Sequence, residues 1–267
     1  MGLAEKKLFL FDIDGTLAVE DTLYDGTVQL LEQIAQNGGV SCFITNNSTK
    51  SNEDYVKKFA KWNIFTKEEY FVTAGYLTQL FLKENYKDQL VFVCGTDSYK
   101  KSLKEAEINV TENVEEGIAC VLVAYDSQLT YEKLVKACQI LSTRQIPFYA
   151  TNPDLVCPST FGFVPDCGSI CKMITTATGK EPQYLGKPNK EVAEICCERF
   201  HFSKEETIVV GDRWYTDIAC GINAGVDTCV LFTGEAKKEE LKTTIYQPTY
   251  AFENIKELSR AYQEGRA

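Results

Sequence analysis

The sequence predicts an α/β protein: a Rossmann-like parallel sheet with helices on both faces, carrying an inserted α/β cap. Three observations predict it. Leu8–Phe11 is a short, wholly apolar run that drives straight into Asp12 and Asp14, the pattern of a central strand buried on both faces. Residues 40–44 and 207–210 repeat that pattern, and each run again ends in polar groups. Between them lie stretches with apolar residues at helical spacing, so the order is strand, polar loop, helix, strand, as in parallel α/β folds. Such sheets place ligands at the carboxyl ends of their strands, which puts Thr45 near Asp12.

The charged end of the first strand reads as a site. If strand geometry persists to its tip, Asp12 and Asp14 point to the same side. Like charges held that close raise each other's pKa unless a cation lies between them. A hard divalent ion that takes oxygen ligands, such as Mg²⁺, would resolve the conflict. Gly15 and Thr16 then turn the chain without crowding the ion. Read alone, Asp-x-Asp-Gly is equally an ordinary turn.

Composition narrows the classes. At 267 residues, with 44% hydrophobic and 25% charged residues, the chain is long enough and apolar enough for a substantial core. A formal net charge of −10 argues against sequence-independent binding to nucleic acid. No N-terminal stretch resembles a signal peptide and no apolar run approaches the ~20 residues that span a bilayer, so a cytoplasmic protein without a membrane partner is expected. The 11 cysteines are scattered through apparent core segments, which suits reduced, buried thiols. Cys157, Cys167 and Cys171 lie closer together, but there is no Cys-x-x-Cys pair and His201 is the single histidine, which weakens both a zinc site and a histidine-based triad.

In order along the chain, residues 25–37 read as a helix ending at Gly38-Gly39. Thr45-Asn46-Asn47-Ser48 follows the second strand, and a helix bearing Tyr55, Val56, Phe59 and Ala60 comes next. Residues 77–181 read as a second α/β unit, with helices over 75–83, 98–106 and 130–141 and strands over 90–94, 118–124 and 148–150. Within it, residues 151–168 are turn-rich and read as a functional loop. The core is then 1–76 with 182–267. In its second part Pro188 opens a helix after Gly186-Lys187, the run 207–210 meets Gly211-Asp212 and Asp217, residues 228–232 form a strand, and 254–262 a closing helix.

Each strand-end residue has a plain alternative: Thr45 a turn, Lys187 a solvated cation, Asp217 a helix-terminal acid. Together, in order and strand context, they match four motifs. The chain resembles the haloacid-dehalogenase-like phosphohydrolases over essentially its whole length, and within them the NagD-type, nitrophenylphosphatase-like branch. Asp12-Ile13-Asp14-Gly15-Thr16-Leu17 is similar to the first motif of that family, Thr45-Asn46-Asn47-Ser48 to the second, Gly186-Lys187-Pro188 to the third, and Gly211-Asp212 with Asp217 to the fourth. The insertion, including Asn152-Pro153-Asp154, resembles the large α/β cap of that branch.

The resemblance implies a Mg²⁺-dependent phosphatase for small phosphorylated metabolites. Asp12 would attack phosphorus and form an aspartyl-phosphate, and Asp14 would act as acid and then base. Asp12, Asp14 (through its backbone carbonyl) and Asp212 would hold the metal, with Asp217 beside it. Thr45, Asn46, Asn47 and Lys187 would bind the phosphoryl group, and Asn152 and Asp154 would face the leaving group. A phospho-receiver module or a non-catalytic binding protein are the competing classes. Receivers are about half this length and place no Asp two residues after the acceptor, and no motif position is missing here. A dehalogenase needs neither an acid at Asp14 nor a metal.

Overall fold

The computed structural model describes residues 2–265 and contains two parallel sheets. The larger has six strands in the order Tyr250–Phe252, Asp227–Leu231, Thr207–Gly211, Leu8–Phe11, Val40–Thr45, Phe71–Thr73. Leu8–Phe11 lies at its centre, with Phe11 level with Val210 on one side and Phe43 on the other. Its apolar run is explained by alternation: successive side chains enter opposite faces, and both faces are covered. Phe9 and Phe11 pack with Leu30, Ile34, Leu258 and Tyr262 from the helices Thr27–Gln36 and Ile255–Glu264. Leu8 and Leu10 pack with Val192, Cys196 and Cys220 from the helices Glu191–Phe200 and Ala219–Ala224. Fully burying side chains of this size stabilises by about 1.5–3 kcal/mol each, which makes this strand the rigid base of whatever lies at its tip.

The second sheet has five parallel strands in the order Gln183–Tyr184, Phe148–Ala150, Ile118–Val123, Leu90–Cys94, Val110–Thr111. Its faces are buried beneath the helices Tyr131–Thr143 and Cys167–Thr178 on one side and Ala74–Asn85 and Asp97–Glu105 on the other. The expected fold class, a parallel sheet with helices on both faces and an inserted α/β unit, is therefore the observed one.

Several elements differ from the sequence reading. The second sheet runs on to Tyr184, past the expected boundary at 181, because its last strand is two residues long and carries no periodicity. The turn-rich segment is a β-hairpin, Val156–Ser159 paired with Gly162–Pro165, followed directly by Cys167–Thr178. That helix has Gly168 in its first turn, a poor helix former. The glycine is required there, because a Cβ would fall 2.8 Å from the Asp154 carbonyl oxygen. The helix expected to open at Pro188 begins at Glu191, after a turn closed by Asn189 N–H donating to the Gly186 carbonyl at 3.1 Å. Among the described residues no helix is long and apolar enough to cross a membrane, and none of the 11 cysteines is in a disulfide.

Candidate active site

Asp12 leaves the central strand with its backbone N–H bonded to Val210 O at 2.9 Å, which fixes the start of its side chain at the carboxyl edge of the sheet. Asp12 is 8% exposed, and its Oδ1 accepts a hydrogen bond from Lys187 Nζ at 2.6 Å. Lys187 donates in addition to Asp217 Oδ1 at 2.6 Å and to the Ile44 carbonyl at 3.0 Å. Its backbone is clamped by one side chain: Lys187 N–H donates to Asn46 Oδ1 at 2.9 Å, and Asn46 Nδ2 donates to Lys187 O at 3.1 Å. That approach needs Gly186, whose Cβ would meet both Asn46 Oδ1 and Thr151 O at 2.6 Å.

The third strand end supplies the remaining acids. Asp212 is fully buried; Oδ1 accepts from Thr16 Oγ1 at 3.0 Å and Oδ2 from Glu235 N–H at 2.9 Å. Gly15, at φ +100°, lets this happen, because a Cβ there would lie 2.6 Å from the carboxylate. Asp217 sits in the irregular helical turn Trp214–Ile218, and its Oδ2 accepts from the backbone N–H groups of Asp212 and Arg213 at 3.1 and 3.0 Å. With Oδ1 on Lys187, both oxygens of Asp217 are engaged in holding the cation and the loop. Oxygens of Asp12, Asp212 and Asp217 all lie within 4.8 Å of one another. Three buried carboxylates around one point form an all-oxygen donor set that suits a hard divalent cation.

Electrostatics follow from this crowding. Burial pushes Asp12 well above the ordinary carboxylate range; Lys187 opposes that, and Asp217 and Asp212 add to it. Asp212 is pushed up to about 6, chiefly by burial, with Arg213 opposing and Asp217 reinforcing. Burial alone would lower Lys187, but Asp12 and Asp217 outweigh it and hold the ammonium above its usual range. The group is short of positive charge, the condition a bound cation relieves.

The structure departs from the sequence reading at Asp14. The strand ends at Phe11, and the chain turns through Gly15 N–H to Ala18 O at 2.8 Å. The Asp14 carboxylate therefore stands apart from the three-carboxylate group: Oδ2 accepts from Asn47 Nδ2 at 3.2 Å and Oδ1 lies 3.6 Å from Lys58 Nζ. Thr45 is buried, with its Oγ1 accepting from Asn47 N–H at 3.1 Å, so the second motif folds into a tight turn over the strand tip.

Asn152 and Asp154 also differ. Both are closed inside protein, at 0% and 2% exposure, Asp154 against Arg213 and Asn152 against Asp154 and Asp166. Arg213 pairs with Asp154 at 2.9 Å and Glu235 at 3.2 Å and donates to Val156 O at 2.9 Å, while Asn152 Nδ2 bonds Asp154 Oδ2 at 3.3 Å and Asp166 Oδ1 at 3.0 Å. This network ties the base of the hairpin to the loop that carries Asp212. Arg213 was missed from the sequence, although its place beside Asp212 is a signal. Glu235 and Lys58 were missed as well, and Thr16 and Ser48, which stand in the first and second motifs, had no partner assigned; Ser48 Oγ bonds Thr151 Oγ1 at 2.9 Å and accepts from Tyr125 N–H at 3.0 Å, joining the second motif to the inserted sheet.

Asp166 makes that junction sensitive to pH. Burial, then the neighbouring Asp154, push it from 3.8 to about 7. A carboxyl whose folded pKa is raised contributes stability that is complete below about 3.8 and is lost as pH rises through about 7. Asp166→Asn cannot ionise, so its thermal stability relative to wild type should improve across that window, by up to ~1.4 kcal/mol per pH unit. Parallel melting curves of the two proteins from pH 4 to 8 check this; a difference independent of pH would contradict it.

Comparison with known proteins agrees with this geometry. Residues 9–109 match the family model described as haloacid dehalogenase-like hydrolase, and residues 184–258 match a second model of the same superfamily. An acid sugar phosphatase from Staphylococcus haemolyticus is 34% identical, over 93% of this chain and 94% of its own. A solved 4-nitrophenylphosphatase from Thermotoga maritima superposes with a TM-score of 0.90 at 35% identity, covering 98% of this chain and 99% of that one. NagD from E. coli K-12 superposes at 0.82 with 25% identity, over 94% and 98% of the two chains. The fold and these relatives define a hydrolase. The chain belongs to the haloacid dehalogenase-like hydrolases and, within them, to the NagD-type phosphatases.

Proposed function

We propose that this phosphatase hydrolyses small phosphate monoesters through a phosphorylated Asp12, with Mg²⁺ as its cofactor. The observation that carries the reading is the pairing of Asp12 with Lys187 at the rim of the three-carboxylate group, where a nucleophile, a cation and a metal site converge. In the first step an Asp12 carboxylate oxygen forms a bond to phosphorus, the ester P–O bond breaks, and Asp14 gives its proton to the leaving oxygen. In the second, Asp14 takes a proton from water, whose oxygen attacks phosphorus and releases Asp12 and phosphate. Lys187, Thr45 and the Asn46 backbone amide hold the phosphoryl oxygens. The Asp12 and Asp212 carboxylates and the Asp14 carbonyl would hold Mg²⁺, which when bound would supply the charge that masks repulsion between carboxylate and phosphate. Asp217 positions Lys187 and the Asp212 loop, and Asn46 positions Lys187.

In this reading the inserted unit, expected over 77–181 and extended to the strand at Tyr184, is a mobile cap on a core of 1–76 and 185–267, and its closure excludes water. The substrates are small phosphorylated metabolites, met in the cytoplasm. The division of labour between Asp12 and Asp14 gives a direct test in Mg²⁺-supplemented and chelated buffer. Wild type should release phosphate steadily only with the metal. Asp14→Asn should lose roughly 10²–10⁴-fold on an alkyl phosphate, whose leaving oxygen needs a proton, and less on nitrophenyl phosphate, whose phenolate leaves unaided. Equal losses on both esters would remove Asp14 from the acid role.

A further inference from the structure

Two hairpins meet tip to tip beside Asp14. The first is short, Ala18–Val19 paired with Thr22–Leu23, and it grows from the loop that carries Asp12 and Asp14, where Ala18 bridges to Asp14. The second is the hairpin of residues 156–165 in the inserted unit. Between them lies a cavity of about 400 Å³, with Asp14, Glu20 and Asn47 on one side and Cys157, Ser159 and Val164 on the other. Because Asp14 forms part of its wall, the leaving group of a phosphate ester would stand there.

Glu20 joins the two tips. Its Oε1 accepts from Ser159 Oγ at 2.6 Å, from Thr160 N–H at 2.9 Å and from Thr160 Oγ1 at 3.3 Å. These bonds, that of Ser159 first, hold its carboxyl below the usual range. The backbone at Glu20 has φ +51°, the left-handed region in which turns favour Gly, Asn or Asp. Turn chemistry therefore does not explain a glutamate at this position, and the three hydrogen bonds do. The second hairpin depends on them, because neither of its strands holds a buried residue and a two-stranded hairpin is marginal in water. Arg213 fixes its base through Val156 O and Asp154, and Glu20 fixes its tip.

Resting on the phosphatase reading above, we infer that Glu20 is a positioning residue: its carboxylate holds the hairpin of residues 156–165 over the cavity, so that the leaving group meets a closed wall with Cys157 and Val164 in it. Glu20 touches no reacting atom; it sets the fraction of enzyme in which that wall is in place. An enzyme whose binding-competent state is only partly populated binds its ligand more weakly by that fraction. Loss of Glu20 therefore falls on KM, while bound substrate, which favours the closed state, leaves kcat nearly unchanged.

The test is Glu20→Gly, which suits the left-handed turn and removes the carboxylate, beside Glu20→Gln, which keeps an acceptor oxygen without the charge. On glycerol 1-phosphate with Mg²⁺, Glu20→Gly should raise KM by roughly three- to tenfold, the scale of one such hydrogen bond, with kcat within about twofold of wild type and the thermal midpoint unchanged. Glu20→Gln should fall between the two. Adding Ser159→Ala to Glu20→Gly should raise KM no further, since both act on one contact. Opening is read without turnover from the rate at which iodoacetamide alkylates the half-buried Cys157, followed by peptide mass with Cys138 and Cys197 as references. That rate should rise in Glu20→Gly while the references stay constant. Steady turnover with an unchanged KM in Glu20→Gly would overturn the inference and leave the phosphatase reading standing, and so would a joint fall of kcat and thermal midpoint, which marks a structural contact. If wild type releases no phosphate from any ester, the reading above fails, and the alkylation rate alone decides whether Glu20 holds the hairpin: equal rates in wild type and Glu20→Gly would overturn it.

Discussion

Asp12→Asn should abolish turnover, lowering kcat by at least about 10⁴-fold, the scale on which removal of a nucleophile acts. The fall should not be accompanied by a loss of fold. The substituted amide keeps an oxygen for Lys187 Nζ, and the strand that carries residue 12 is fixed by packing on both faces and by the bond from its N–H to Val210 O. The variant relieves a conflict as well, since burial and the neighbours Asp217 and Asp212 all disfavour a charge at this position. Its thermal midpoint should therefore match or exceed that of wild type near neutral pH. Beryllofluoride, which mimics a phosphoryl group on a carboxylate, should protect wild type against unfolding in Mg²⁺ and leave Asp12→Asn unaffected. Near-normal turnover in the variant would end the assignment of Asp12 as nucleophile.

How far the sequence carries depends on which physical signal each part leaves in it. The central strands were legible because burial on both faces forces a wholly apolar run, and a carboxylate at the end of such a run has no other cheap explanation. The edge strands Phe71–Thr73 and Tyr250–Phe252 were not, since three residues hold no measurable period, although the equally short Phe148–Ala150 was read as a strand. The hairpin of residues 156–165 was hidden by Pro158 and Pro165, which read as breakers, yet it lies outside both parallel sheets where missing donors are tolerated. In the site, Asp12, Lys187, Asp212 and Asp217 were found because each stands at a strand end or helix mouth. Their orientation was not, because it is set by tertiary partners: Asp14 turns to Asn47 and Lys58, and Asn152 and Asp154 turn to Asp166 and Arg213. Lys58 illustrates the limit. On an amphipathic helix a lysine reads as a solvated cation, and only the fold brings it beside Asp14.

Lys187→Met should show how much of the site is held together by one ammonium. Nζ joins Asp12, Asp217 and the Ile44 carbonyl, and all four groups are buried. Methionine fills much of the stem volume, so the change removes the charge more than the packing. Removing one partner from a buried ion pair typically costs about 3–5 kcal/mol, since the charge left behind is neither solvated nor paired. Here two carboxylates are left, beside a third in Asp212. The sign of the pH dependence follows: without Lys187 the pull that lowers the Asp12 pKa is gone, so its folded value rises further above 3.8. Stability is then lost as pH rises, and the deficit of the variant relative to wild type should be smallest near pH 4 and grow toward pH 8. Adding Asp217→Asn should recover part of it by removing one of the stranded charges. Denaturant unfolding of wild type, Lys187→Met and the double variant at three pH values reads all of this without any assay of activity. A deficit that stays below about 1 kcal/mol at pH 8 and does not change with pH would mean that the triple of Asp12, Lys187 and Asp217 contributes nothing net to the fold, and that Lys187 is kept in place for chemistry alone.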